Sequence, residues 1–409
     1  MRSPMFTEAV ILAGGRGTRL EALTRHAPKP LLEVCGHPFL VHLVRDIRRH
    51  GIDRIIFSVG YLAECIMDHF GDGSRFGARF VYSREDTPLD TGGAARMAAE
   101  RTTGPFLVFN ADSLFLINYL DLGLGLREGT DCALALRRVP DATRFGTVTL
   151  SEEGRIERFL EKQGAGPGLI NAGVYALRQQ ALRDCPQGPS SLERDLFPRL
   201  AAQGRLAGRE YDGYFIDIGL PCSLEAARAN LDPQRRRGAV FLHQELLLLP
   251  GAPEEPPRFR PGAAQGIKYA NDSGALVVMV GDGRLAGPET PPSPAALLRQ
   301  GLAPAGAHID AVLADPLFHS GRPVDKPGGG VRQAALEAFL RTAAPELGLA
   351  SERSVLAAPD RNLVAGFAEG PLRFVAFHGG ALPAQMEAAL RSPAAGAHPA
   401  FESGPKDRS

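Results

Sequence analysis

Residues 8–20 read EAVILAGGRGTRL: a strand-length apolar run, EAVIL, passes without a break into a glycine-rich turn. A short buried strand followed at once by glycines brings backbone N–H groups up to an anion, because glycine adopts positive φ without strain and lets the backbone approach closely. The turn lacks the Lys-Ser/Thr ending of a P-loop and the third glycine of a dinucleotide fingerprint, so it serves another phosphate geometry. Arg16, Arg19 and, slightly further on, Lys29 within Pro28-Lys29-Pro30-Leu31 supply the charge that a triphosphate requires.

Outward from this turn, RIIFSVG (54–60), ARFVYS (78–83), FLVFNAD (106–112) and CALALRRV (132–139) are further strand-length runs. Segments of helical spacing such as PFLVHLVRDIRRHG (38–51) separate them. This alternation predicts an α/β fold, a mostly parallel sheet covered by helices on both faces, with ligands at the carboxyl ends of the strands. Both the glycine-rich turn and Asn110-Ala111-Asp112 fall there. LDPQRRRG (231–238) breaks the pattern and predicts a linker after a first domain of residues 1–230. Beyond it, AVFL (239–242), ALVVMV (275–280) and RSVLAAP (353–359) as strands, with VRQAALEAFLRTAA (331–344) as a helix, predict a second, smaller α/β domain over 239–390. Residues 391–409 read as a loose tail.

In 409 residues, 46 basic side chains balance 46 acidic ones with no Lys/Arg block, which argues against nucleic acid or an anionic membrane as partner. The five cysteines show neither disulfide nor zinc spacing, so reduced thiols and a cytoplasmic protein are expected. No stretch approaches the roughly 20 apolar residues of a membrane span, and MRSPMFTEAVILAGG does not read as a secretory leader. Only five of the 46 basic residues are lysine (Lys29, Lys162, Lys268, Lys326, Lys406), which makes each lysine an uncommon choice.

Taken with Glu85-Asp-Thr-Pro-Leu-Asp-Thr-Gly-Gly93, Phe159-Leu160-Glu161-Lys162, Ile170-Asn171-Ala172-Gly173 and Phe215-Ile216-Asp217-Ile218-Gly219, these motifs follow the order of one family. Over residues 7–230 the chain resembles the sugar-phosphate nucleotidyltransferases, which join a sugar 1-phosphate to a nucleoside triphosphate and release pyrophosphate. The wording SVGY, YSREDTPL and LINAGVY most resembles the guanylyltransferases acting on D-glycero-α-D-manno-heptose 1-phosphate. The resemblance implies a Rossmann-like fold and Mg²⁺ held by Asp112 and Asp217. It places Arg19 on the leaving β- and γ-phosphates, Lys29 on the α-phosphate, and Lys162 on the sugar phosphate. Leu12, Ala13, Gly14, Gly15, Gly17, Thr18, Glu85, Pro88 and Gly92 would bind the nucleotide, and Glu161, Asn171 and again Gly92 the sugar hydroxyls. A carboxylate at 85 can accept from guanine N1–H and N2–H, but relatives using uridine also carry Glu, so a uridylyl or other transfer to N-acetylmuramate, mannose or glucose 1-phosphate stays open. Ala111 replaces the usual glycine and is expected to add a methyl beside the sugar. Homo-oligomer formation is left open by the sequence.

Residues 239–370 faintly resemble the histidinol- and heptose-bisphosphate phosphatase branch of the haloacid dehalogenase-like superfamily, through AVFL, ALVVMVGDGRLAG (275–287), Asp325-Lys326-Pro327 and NLVAGFAEG (362–370). Where that family carries its nucleophilic Asp-x-Asp pair this chain has His243 and Glu245, and Met279 and Ala357-Ala358 replace further reactive positions. A phosphoryl-aspartate cannot form there. A catalytically inert domain, structural or ligand-sensing, is expected, with a still-active phosphatase half as the alternative.

Overall fold

The structure is a computed structural model that describes residues 6–25, 27–160, 166–249, 257–282, 285, 294–315, 318–319, 322–323, 329–359, 372–377 and 382–391. The chain divides into two compact units, Met1–Gln234 with Ala303–Gly306, and Arg235–Leu302 with Ala307–Ser409.

In the first unit, β1 (Glu8–Ala13), β2 (Arg54–Val59), β3 (Arg79–Arg84) and β4 (Phe106–Asn110) form a parallel sheet in the order β4-β1-β2-β3. Consecutive residues of these strands feed two separate cores. Ala9, Ile11, Phe57, Leu107 and Phe109 pack on one face, and Val10, Ile56, Phe106 and Val108 on the other. A sheet covered on both sides has no polar face, which is why these strands read as continuous apolar runs. Helix α1 (Phe39–Arg49) supplies Leu40, Leu43, Val44 and Ile47 to the first core. Helix α2 (Asp90–Ala99) supplies Ala95, Ala98 and Ala99 to the second, small side chains that let it lie close to the sheet.

Beyond β4 the sheet changes character. Strand β9 (Gly168–Leu177) runs antiparallel to β4 and also pairs antiparallel with β6 (Cys132–Val139) and β7 (Thr147–Leu150), while β8 (Ile156–Leu160) continues from β7. Strand β10 (Leu206–Glu210) closes the nine strands, parallel to β6. A separate two-stranded ribbon, β5 (Ser113–Phe115) with β11 (Phe215–Asp217), sets Ser113 opposite Asp217. The site depends on that ribbon.

Where the sequence predicts a linker at 231–238, a helix, α3 (Pro221–Arg235), covers most of the stretch. Leu224, Ala227 and Leu231 are buried along one face and hold it in place, and Pro233 falls only in its last turn. In the second unit, β12 (Ala239–His243), β13 (Leu276–Gly281), β14 (Ala311–Ala314), β15 (Val355–Ala358) and β16 (Arg373–Ala376) form a wholly parallel sheet in the order β14-β13-β12-β15-β16. The predicted helix at 331–344 lies within α4 (Gly329–Leu347). Lys326, residues 362–370 and the tail from 392 onward lie outside the described residues. Among the described residues no helix is long and apolar enough to cross a membrane.

Candidate functional site

The four parallel strands β1, β2, β3 and β4 end in one cleft. Gly14 follows β1, Gly60 follows β2, Glu85 follows β3 and Asp112 follows β4, and each lines a cavity of about 530 Å³. A second cavity of about 580 Å³ adjoins it, sharing Gly15, Gly17, Lys29, Asn110 and Asp112, and continues toward Asn171, Glu193 and Asp217. The cleft therefore has two halves that meet at Lys29 and Asp112.

The first half is shaped by close backbone approach. A Cβ on Gly14 would stand 2.4 Å from Glu85 Oε1, so only glycine lets that carboxylate lie over the turn. Glu85 accepts from Leu89 N (3.0 Å) and Ser58 Oγ (3.2 Å), which fixes its plane. Burial pushes its carboxyl above the usual carboxylate range, against those two hydrogen bonds. The folded protein thus holds this proton more tightly than the unfolded chain, a stabilisation present at low pH and lost as pH rises through the elevated value. Glu85→Gln is accordingly expected to gain melting temperature relative to the parent at pH 7.5, with the gap narrowing toward pH 5. A gap that stayed constant across thermal melts at these pH values would contradict the burial of a titrating carboxyl.

Lys29 stands between Pro28 (φ −65°) and Pro30 in a 3-10 turn, Lys29–Leu31, closed by Leu31 N to Pro28 O (2.8 Å) and Leu32 N to Lys29 O (3.1 Å). Two fixed prolines leave its backbone little freedom. Its stem lies against Gly17, whose φ of +62° favours glycine and where a Cβ would stand 3.2 Å from Lys29 Cβ, and its ammonium pairs with Asp112 Oδ2. Asp112 reaches Asp217 through the ribbon: Ile218 N donates to Asp112 O (2.9 Å), and Ser113 Oγ lies 3.3 Å from Asp112 Oδ1 and 3.5 Å from Asp217 Oδ2. Asp217 Oδ1 accepts from Gly219 N (2.7 Å) and meets Arg144 Nη2 at 3.4 Å. Burial, and next the charge of Asp112, raise the Asp217 carboxyl above its ordinary range. Two carboxylates that repel each other, Asp112 lining both cavities and Asp217 the second, can hold a divalent cation. Two carboxylate donors lining the second cavity are of the kind Mg²⁺ takes, an ion that keeps several waters and binds one or two carboxylates plus phosphates.

The second half is a hydrogen-bonded network. Asn171 Nδ2 donates to Tyr175 Oη (3.0 Å), Tyr175 Oη to Glu193 Oε1 (3.3 Å), and Thr91 Oγ1 and Ser191 Oγ to Glu193 Oε2 (2.7 and 2.9 Å). Glu193, Thr91 and Arg144 line this half, and only Thr91, within the Glu85–Gly93 motif, falls in a stretch that the sequence singles out.

Of the residues named from sequence, Leu12, Ala13, Gly14, Gly15, Gly17, Glu85 and Pro88 line the first half. Arg19 and Asn171 line the second. Thr18 opens the 3-10 turn Thr18–Leu20 that carries Arg19. Gly92 does not line either half. It is buried, donates its N–H to Ser190 O (2.7 Å), and a Cβ there would meet Cys185 Sγ at 2.7 Å and Ser190 O at 2.8 Å, so it is a packing glycine beneath the site. Ala111, expected beside the sugar, instead lines the first half, with its N–H donated to Leu12 O (3.2 Å). Glu161 and Lys162 lie outside the described residues.

In the second unit, His243 is fully buried at the carboxyl end of β12, and burial pushes its imidazole down to about 4, so it is neutral at physiological pH. Nearby Asp315 is paired with Arg332 (2.8 Å), both buried.

A cleft at the ends of parallel strands, a glycine turn with cations and a pair of carboxylates define a nucleotide-handling enzyme of α/β architecture. The chain belongs to the nucleotidyl transferase family, whose pattern matches residues 8–233. It is 38% identical over 261 residues to mannose-1-phosphate guanylyltransferase of Mycobacterium tuberculosis, covering 60% of this chain and 72% of that one. It is 33% identical over 255 residues to the mannose-1-phosphate guanylyltransferase catalytic subunit beta of Danio rerio, covering 59% and 71%. Among solved structures it is similar to HddC from Yersinia pseudotuberculosis, at 30% identity and a TM-score of 0.51, covering 55% of this chain and all of that one. The same protein complexed with GMP-PN matches with a TM-score of 0.50.

Proposed function

We propose that the chain transfers GMP from GTP to a sugar 1-phosphate and releases pyrophosphate, with a heptose 1-phosphate as the expected acceptor and a nucleotide sugar for surface-glycan assembly as product. The observation that carries this reading is the division of the cleft. A carboxylate lies over the glycine turn at one end, a hydrogen-bonded network surrounds Asn171 at the other, and Lys29 and Asp112 stand where the halves meet, with Asp217 beside them in the second half. Guanine is supported by the relatives named for guanylyl transfer and by the neighbour's complex with GMP-PN. Mannose 1-phosphate is a second reading for the acceptor, because both curated relatives are named for it.

In this mechanism a phosphate oxygen of the sugar ester attacks the α-phosphorus in line. The new P–O bond forms as the bond from that phosphorus to the bridging oxygen breaks, and pyrophosphate leaves with the electron pair. Arg19 holds the leaving phosphates, Lys29 the α-phosphate and Lys162 the incoming ester. Asp112 and Asp217 would hold Mg²⁺. Bound there, it would supply positive charge beside the phosphates.

For the second unit we infer a phosphatase-like scaffold that has lost its chemistry. The support is a five-stranded parallel sheet whose first strand ends in a buried, neutral histidine where a nucleophilic carboxylate would be needed.

One screen tests both readings: four nucleoside triphosphates against heptose, mannose, glucose and N-acetylmuramate 1-phosphates, following pyrophosphate and inorganic phosphate separately, with a heptose bisphosphate as an added substrate. GTP with the heptose ester is expected to give the highest pyrophosphate rate, and no phosphate is expected from the bisphosphate. A uridine or cytidine partner winning would overturn the base assignment, and phosphate release would overturn the inert second unit.

A further inference from the structure

The second half of the cleft carries a cation for which the reaction just described has no assigned use. Arg144 lines that half and not the first. Its guanidinium carbon lies 5.4 Å from the centre of the Phe145 ring, Phe145 packs edge-on against Phe215 (5.9 Å), and Phe215 against Phe115 (5.7 Å). The loop is tied to the strand bearing the hydrogen-bonded network, because Asn171 N donates to Gly146 O (2.9 Å). Aromatic packing and a strand hydrogen bond therefore place the guanidinium; its ion pair with Asp217 does not have to.

That ion pair is loose. At 3.4 Å it is longer than a well-formed charge-assisted hydrogen bond, and the Arg144 side chain is 37% exposed. Pairs this open to water contribute little, so a doubly charged phosphate displaces the carboxylate readily. One guanidinium nitrogen faces Asp217, and the planar fork has further N–H donors for phosphate oxygens. Across the cleft the arrangement is repeated: Lys29 pairs with Asp112 as Arg144 pairs with Asp217. Each aspartate suited to a divalent cation is thus matched by a side-chain cation suited to a phosphate.

We propose that Arg144 is a second residue that receives the phosphate of the sugar 1-phosphate, held ready by Asp217 and exchanging that carboxylate for the ester when substrate binds. The inference rests on the transferase reading for its chemistry. It adds that Arg144 sets affinity for the sugar ester and not for the nucleotide, because its loop is hydrogen-bonded through Gly146 O to Asn171 N, on the strand that carries the network of the second half.

Arg144→Gln and Arg144→Lys in the full chain test it, with GTP and mannose 1-phosphate or the heptose ester as probes. The Gln variant is expected to raise KM for the sugar ester by about tenfold or more while KM for GTP stays within about twofold, and Lys to recover part of the loss. Equilibrium binding of the sugar ester by calorimetry, without GTP and without Mg²⁺, is expected to weaken by a similar factor, with the melting temperature unchanged. An unchanged KM for the sugar ester, or an equal rise in both KM values, overturns the proposal. So does a pyrophosphate inhibition constant that moves in place of the sugar KM. If the parent forms no nucleotide sugar with any pair, the transferase reading fails by itself. The calorimetry then still decides Arg144, since equal affinity of parent and Gln variant, or no affinity in either, overturns its role.

Discussion

Replacing Asp112 by Asn is expected to lower nucleotide-sugar formation by about a thousandfold, roughly 4 kcal/mol of transition-state stabilisation, while the fold stays as stable as the parent or gains slightly. The loss follows from position. Asp112 stands at the end of a central parallel strand, bonded through its backbone to Ile218 and bridged by Ser113 Oγ to Asp217, so it belongs to both halves of the cleft at once. The steadiness of the fold follows from charge. Asp217 is held protonated to higher pH partly by the Asp112 carboxylate, and removing that charge relieves a repulsion that costs the folded state. Against this, Lys29 loses its partner, but its side chain keeps some exposure and can turn to water. Pyrophosphate release and a thermal melt on one preparation check the two halves of the expectation. Activity within tenfold of the parent would place the reacting phosphates elsewhere, and a fall of many degrees in melting temperature would make the carboxylate pair a structural device.

The strands of both units were legible because sheets buried on two faces write themselves as apolar runs, and β1, β2, β4, β6 and β12 fall where EAVIL, RIIFSVG, FLVFNAD, CALALRRV and AVFL stand. What spacing alone does not reveal is pairing across a hundred residues. Ser113 and Asp217 meet only because a two-stranded ribbon joins them, and no local pattern announces a three-residue strand. Glu193 was missed for the same reason. In LERDLFP it reads as one more solvated charge, and its role comes from Thr91 and Tyr175, which reach it from a helix and a strand elsewhere in the chain. Arg144 was hidden among many arginines, and only the Phe145, Phe215 and Phe115 stack distinguishes it. Gly92 is the opposite case: inside a motif that the resemblance assigns to ligands, its missing side chain makes room for Cys185 and Ser190. Glycines serve ligands and packing by the same absence, so only the neighbours tell them apart.

Lys29→Arg is expected to lose about a hundredfold in turnover, close to 2.7 kcal/mol, although the charge is kept and the two side chains are usually counted as alike. The chain has five lysines among its 46 basic residues, so an arginine here would follow its ordinary usage. Geometry gives the reason for the exception. The stem of Lys29 runs over Gly17, where a hypothetical Cβ would already lie 3.2 Å from Lys29 Cβ, and the backbone is clamped between two prolines. A longer, planar guanidinium cannot back away along that path. Set opposite Asp112, it would close a two-pronged pair with the carboxylate and hold it there, where an ammonium makes a single contact that a phosphate can take over. Lys29→Met, which removes the charge but keeps the stem, is expected to be no worse than Lys29→Arg by more than about tenfold, because both fail at the same exchange. Turnover measured at saturating GTP and sugar ester, with melting temperatures as a control, decides the matter. An arginine variant within threefold of the parent would mean that positive charge alone suffices at this position, and that the loose, exchangeable pairing of Lys29 with Asp112 plays no part in bringing two anions together.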